Sequence, residues 1–131
     1  MSADPALAYA PGLHLLADFY GVNATLAGDA AALQTVLEAA AMAAGAQVVA
    51  AHFHHFGPGM GVTGMLLLRE SHISIHTWPE TGLATLDIFM CGNAQPQLAL
   101  AHLHRALQPT QVVQHHIRRG QPARPGATEM F

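Results

Sequence analysis

Carboxylate, hydroxyl, imidazole and indole groups crowd into eleven consecutive positions of this 131-residue chain, Arg69-Glu70-Ser71-His72-Ile73-Ser74-Ile75-His76-Thr77-Trp78-Pro79. Ile73 and Ile75 alternate there with His72, Ser74 and His76, the two-residue period of a strand with one face on a core and one face polar. A row of imidazoles and a hydroxyl on one strand face is costly unless those groups are used or well hydrogen-bonded. The apolar run Gly64-Met65-Leu66-Leu67-Leu68 precedes it and suits a buried strand, so Glu70-Ser71 sits where a core strand breaks and re-forms.

What this chemistry cannot be is fixed by an absence. The chain has five Lys+Arg, all of them arginine. Pyridoxal phosphate is held through a lysine Schiff base, and lysine is the usual amine offered to carbonyl substrates. Both routes are closed. The ten histidines raise a metal site instead, since zinc sites use two or three imidazoles with a carboxylate. However, the pairs His52/His54 and His72/His76 fall on strands, where alternate residues share a face but splay, and no His-Glu-x-x-His helix pattern occurs, so no metal is expected. Taken singly, Cys91 beside Gly92 fits a small buried hydrophobe, Trp78-Pro79-Glu80 a turn, and Asp87 a paired structural acid.

The elements that must position these groups follow from periodicity. Leu13 to Tyr20 reads as a strand with Leu13, Leu15, Ala17 and Phe19 on one side, and Asn23 to Gly28 as a loop. Asp29 is the N-cap of a helix reaching about Ala44, with an apolar stripe through Leu33, Val36, Leu37, Ala40, Ala41 and Ala44 and a stop at Gly45. Ala46 to Phe56 forms a strand with Val48, Ala50, His52, His54 and Phe56 sharing a face, and Gly57-Pro58-Gly59-Met60-Gly61 a turn or loop. Strands follow at Val62 to Arg69, Ser71 to Thr77 and Leu83 to Met90. A helix with Pro96 in its first turn carries Leu100, Leu103 and Leu107, and Gln111 to Arg119 makes a last strand. The expected fold is α+β: a two-layer sandwich, an antiparallel sheet with two main helices on one face, the other face covered by a second protomer.

Composition narrows the partners. A formal net charge of -3, with no basic run longer than Arg118-Arg119, argues against nucleic acid, whose binding needs many cationic contacts. One cysteine excludes an intrachain disulfide and points to a reducing, cytoplasmic setting. Neither a signal peptide nor a membrane-spanning helix is expected. One domain at 12–120, with a flexible lead at 1–11 and a flexible tail at 121–131, is small for an enzyme that must enclose a substrate alone, so a site shared between protomers is anticipated.

Taken together, Glu70-Ser71-His72-Ile73-Ser74-Ile75-His76-Thr77-Trp78-Pro79-Glu80 and, eleven residues on, Cys91-Gly92 closely resemble the signature of the small bacterial and archaeal S-adenosylmethionine decarboxylase proenzymes. Gly12 to Tyr20, Gly61-Val62-Thr63-Gly64 and His116 to Gly120 resemble other stretches of that family. The resemblance implies self-cleavage at Glu70–Ser71, leaving chains 1–70 and 71–131 with a pyruvoyl group made from Ser71. That carbonyl, in place of pyridoxal phosphate, forms the Schiff base with the substrate amine. It further implies His76 as processing base, Cys91 as proton donor, and Thr63 in place of a serine that assists the ester step. Trp78, Glu80 and Phe56 would bind the nucleoside, and two processed protomers would form a homodimer serving spermidine synthesis. Leu83 stands where the family has a tyrosine. A pyruvoyl enzyme acting on ornithine or arginine, an unprocessed non-catalytic homologue and a histidine-rich metal-binding module are the rival readings.

Overall fold

The computed structural model describes residues 12–122, so the expected lead at 1–11 and all but the first two residues of the expected tail lie outside the described residues. Six strands are present: β1 (Gly12–Tyr20), β2 (Val48–His55), β3 (Val62–Leu68), β4 (Ser71–Trp78), β5 (Leu83–Met90) and β6 (Gln111–Arg119). They form one sheet in the order β2-β3-β4-β5-β1-β6, and every neighbouring pair is antiparallel. Three helices, α1 (Ala24–Ala27), α2 (Ala30–Ala43) and α3 (Pro96–Leu107), complete the described chain.

Local chemistry starts and stops these helices. Asp29 Oδ1 accepts the Ala32 N–H at 3.0 Å and caps α2, whose buried stripe is Leu33, Leu37, Ala40 and Ala41. Gly45, at φ +79°, turns the chain away from it. Pro96 opens α3, which buries Ala99, Leu103 and Leu107. The segment expected as a loop after Asn23 contains one helical turn, because Asn23 Oδ1 accepts the N–H groups of Thr25 (2.9 Å) and Leu26 (3.2 Å).

Both longer helices lie on one sheet face. Their stripes meet Leu15 and Phe19 of β1, Leu66 of β3, Ile73 and Ile75 of β4, and Ile88 of β5, all fully buried. Each such side chain contributes about 1.5–3 kcal/mol of transfer free energy. In β2 the expected faces are only half kept. Val48 pairs with Leu68 but Ala50 pairs with Leu67, so Val49 is an extra residue that reverses the alternation. Val48, Ala51 and Phe53 pack on the core, while His52 and His54 stay on the opposite face.

Among the described residues, no helix lies on that opposite face. Met65, Leu67, Val113 and Ile117 stand there 40–44% exposed beside Leu16, Ser74, His76 and Asp87.

Candidate active site

The signature residues occupy two places at opposite ends of β4. At its start, Arg69 and Glu70 make a two-residue turn from β3, with Leu68 paired to Ser71 and Glu70 in the left-handed region at φ +61°. A non-glycine residue held there is uncommon and strained. Cys91 follows the end of the neighbouring β5, and its thiol donates to the Glu70 carbonyl oxygen at 3.1 Å. The Ser71 hydroxyl lies 4.0 Å from the same sulfur. Thiol, hydroxyl and the carbonyl of the Glu70–Ser71 peptide bond therefore converge, with the thiol on the oxygen that would gain charge if that carbonyl were attacked.

At the far end, Thr63 of β3 faces His76 of β4 as a direct cross-strand pair, Thr63 Oγ1 to His76 Nδ1 3.1 Å. One cavity of about 210 Å³ is lined by Thr63 and His76 together with Phe56, Trp78 and Glu80. The five residues expected to serve processing or nucleoside binding are thus gathered, the Trp78 and Phe56 rings exposed and the His76 ring 6.4 Å from that of Trp78. Binding pockets for small molecules usually enclose about 300–1,000 Å³, so this cavity amounts to part of a site.

Thr77 fixes its floor. The Thr77 hydroxyl donates to the Ala27 carbonyl at 2.5 Å and accepts the Val62 N–H at 2.9 Å, joining β4, β3 and α1. Gly61 runs so close that a Cβ there would lie 1.8 Å from the Thr77 carbonyl oxygen.

The two places do not merge within one chain. His76 is five residues beyond Ser71, about 17 Å of strand at 3.3–3.4 Å per residue, and points to the opposite face. The turn at Arg69-Glu70 leaves Ser71 and His76 apart.

A third group was not among the expected site residues. His14 and His72 both direct Nε2 to Asp87 Oδ1, His72 at 3.2 Å, and the three groups lie within 4.8 Å of one another on the open face. Alternation in β1 and β5 puts His14 and Asp87 on that face, but only the pairing of β5 between β1 and β4 makes them neighbours of His72.

Residues 13–120 match the family model described as S-adenosylmethionine decarboxylase. The chain belongs to the S-adenosylmethionine decarboxylase family. Among relatives of this family, the S-adenosylmethionine decarboxylase proenzyme of Persephonella marina is 41% identical over 110 residues, 83% of this chain and 82% of that one. The proenzyme of Picrophilus torridus is 39% identical over 112 residues, 85% of each chain. The crystal structure of the adenosylmethionine decarboxylase from Aquifex aeolicus superposes with a TM-score of 0.78 at 35% identity, covering 92% of this chain and 98% of that one. The α+β sheet with its helices on one face is the fold shared with this decarboxylase, and the matched residues include both ends of β4.

Proposed function

We propose that the chain cleaves itself at Glu70–Ser71 and that the processed protein decarboxylates S-adenosylmethionine, yielding the aminopropyl donor for spermidine synthesis. The observation that carries this reading is the convergence of Cys91 Sγ, Ser71 Oγ and the Glu70 carbonyl at a left-handed turn. In the first step the Ser71 oxygen adds to the Glu70 carbonyl carbon, while the Cys91 thiol donates a hydrogen bond to the carbonyl oxygen. The peptide C–N bond then breaks, its nitrogen takes a proton, and an ester joins Glu70 to the Ser71 oxygen. A base removes the Ser71 α-proton, the Glu70 carboxylate leaves with the C–O bond electrons, and water replaces the resulting dehydroalanine nitrogen, releasing ammonia. The pyruvoyl group so formed supplies a ketone that takes the substrate amine and accepts the electrons released with carbon dioxide. No lysine is present to do this otherwise.

His76, held by Thr63, is the base for α-proton removal. Since it stands about 17 Å along β4 from Ser71, the His76 that serves one Ser71 comes from a second copy. Two protomers joined through the open sheet face would cover Met65, Leu67, Val113 and Ile117 and enlarge the 210 Å³ cavity. In the completed site Trp78 and Phe56 offer aromatic faces to the adenine and sulfonium, and Glu80 accepts from the ribose hydroxyls. Cys91, 4.0 Å from Ser71 Oγ, returns a proton to the substrate carbon after carbon dioxide leaves. A lone cysteine fits a cytoplasmic setting, and among the described residues no helix is long and apolar enough to cross a membrane.

The test is intact mass under denaturing conditions, then carbon dioxide release. Two chains, 1–70 and 71–131, are expected, the second blocked to Edman degradation, with cleavage abolished in Ser71→Ala. The processed protein should release carbon dioxide from S-adenosylmethionine and from neither ornithine nor arginine. Cleavage of Ser71→Ala at the same bond would overturn the processing step, and turnover of ornithine or arginine alone would overturn the substrate.

A further inference from the structure

Asp87 receives two imidazole N–H groups on one oxygen, from His14 of β1 and His72 of β4, the strands on either side of β5. The His14 ring is oriented from behind by Arg119, whose Nη1 lies 3.0 Å from its Nδ1. A guanidinium offers donors only, so Nδ1 accepts and the neutral ring carries its proton on Nε2, aimed at Asp87. In that tautomer, hydrogen bonding to Asp87 accounts for the closeness of the three groups. Phe89 packs against both rings, 5.5 Å from His14 and 5.9 Å from His72 between centroids. Its place is kept open by Gly12, where a Cβ would fall 2.3 Å from the Phe89 ring.

We propose that Asp87, braced by His14, is a positioning residue that holds the leading end of β4 in place once the Glu70–Ser71 bond is cut; this rests on the self-cleavage proposed above. In the uncut chain Ser71 is tied covalently to β3 through the two-residue turn. Cleavage turns Ser71 into a chain terminus, and strand ends fray unless tied down. The Ser71 hydroxyl oxygen leaves with Glu70 and its nitrogen leaves as ammonia, so what then remains is the ladder pairing of His72 to Leu67 and Phe89 and the His72 side chain. Among the described residues, the His72 bond to Asp87 is the one side-chain hydrogen bond made by the two residues after Ser71. An ionised carboxylate accepting two N–H groups is the strong form of such a tether, and it links β4 through β5 to β1. Reacting groups displaced by an ångström lose rate steeply, so the tether belongs to turnover and not to cleavage.

Asp87→Ala, Asp87→Asn and the parent are compared for self-cleavage rate by denaturing mass spectrometry, and for kcat and KM toward S-adenosylmethionine after processing. Asp87→Ala is expected to cleave within about threefold of the parent rate while its processed kcat falls about ten- to a hundredfold with KM little changed. Asp87→Asn, whose amide oxygen still accepts one N–H, should fall between. Amide hydrogen exchange at His72 and Ile73 should quicken in processed Asp87→Ala, yet be the same in uncleavable Ser71→Ala with or without the added Asp87→Ala. Equal losses of cleavage and turnover, an unchanged kcat, or faster exchange in the uncleavable pair would overturn the tether. Should Asp87→Ala not fold, Asp87→Asn carries the same comparisons. A parent that does not cleave would overturn the proposed function as well, which separates the two failures.

Discussion

At the scale of single residues, the catalytic reading rests on side chains with separable jobs. Cys91 is bonded to the carbonyl that must be attacked and also neighbours the carbon framework that later reacts. Cys91→Ala should therefore process more slowly and decarboxylate poorly, with more abortive transamination, checked by intact mass and product analysis. His76 is expected to act one step later. His76→Ala should accumulate an uncleaved ester that hydroxylamine cuts, because the α-proton has no base to take it; normal cleavage in that variant would remove His76 from the reaction. Trp78 and Glu80 share a cavity with His76 but not the bonds around Glu70. Trp78→Ala and Glu80→Gln should each lose about 1–3 kcal/mol in kcat/KM and leave self-cleavage intact.

At the scale of elements, the cavity depends on how closely β3 and β4 run. Gly61 is the pinch point, since an added Cβ would meet the Thr77 carbonyl oxygen at 1.8 Å and only backbone movement could relieve it. Gly61→Ala should cost about 1–3 kcal/mol of stability and raise KM through displacement of Thr77 and its neighbours His76 and Trp78, read by thermal unfolding and steady-state kinetics. The helix layer has a different sensitivity. Leu37, fully buried in the α2 stripe, is remote from both ends of β4 in chemistry, so Leu37→Ala should cost about 2–5 kcal/mol of stability while the folded fraction keeps its KM.

At the scale of the whole molecule, the separation of Ser71 from His76 has the largest consequence. If each site takes Ser71 and Cys91 from one copy and Thr63 and His76 from another, two dead variants can repair each other. Co-expressed Ser71→Ala and His76→Ala chains should form mixed dimers in which one of two sites is whole, restoring about a quarter of parental activity under random pairing of a two-fold dimer. Each variant alone should stay inactive. Activity that never returns on co-expression, with mixed dimers shown by native mass spectrometry, would place a complete site within one chain and contradict the 17 Å spacing along β4.

Much of this was open to reading in one dimension because its causes are local. The alternation of Ile73 and Ile75 with His72, Ser74 and His76, the Asp29 cap with its stripe of Leu33 and Leu37, and Pro96 at the start of α3 each depend on residues a few positions apart. The run from Glu70 to Cys91, met in that order, carried the family as well. Tertiary structure decided what depends on pairing between distant segments. The extra residue Val49 reversed part of β2, a change that shows only in its register against β3. Insertion of β1 between β5 and β6 made partners of Asp87 and His14, 73 positions apart. Above all, rigid strand geometry put Ser71 and His76 at opposite ends of β4, because side chains five residues apart on an extended backbone can neither touch nor share a face.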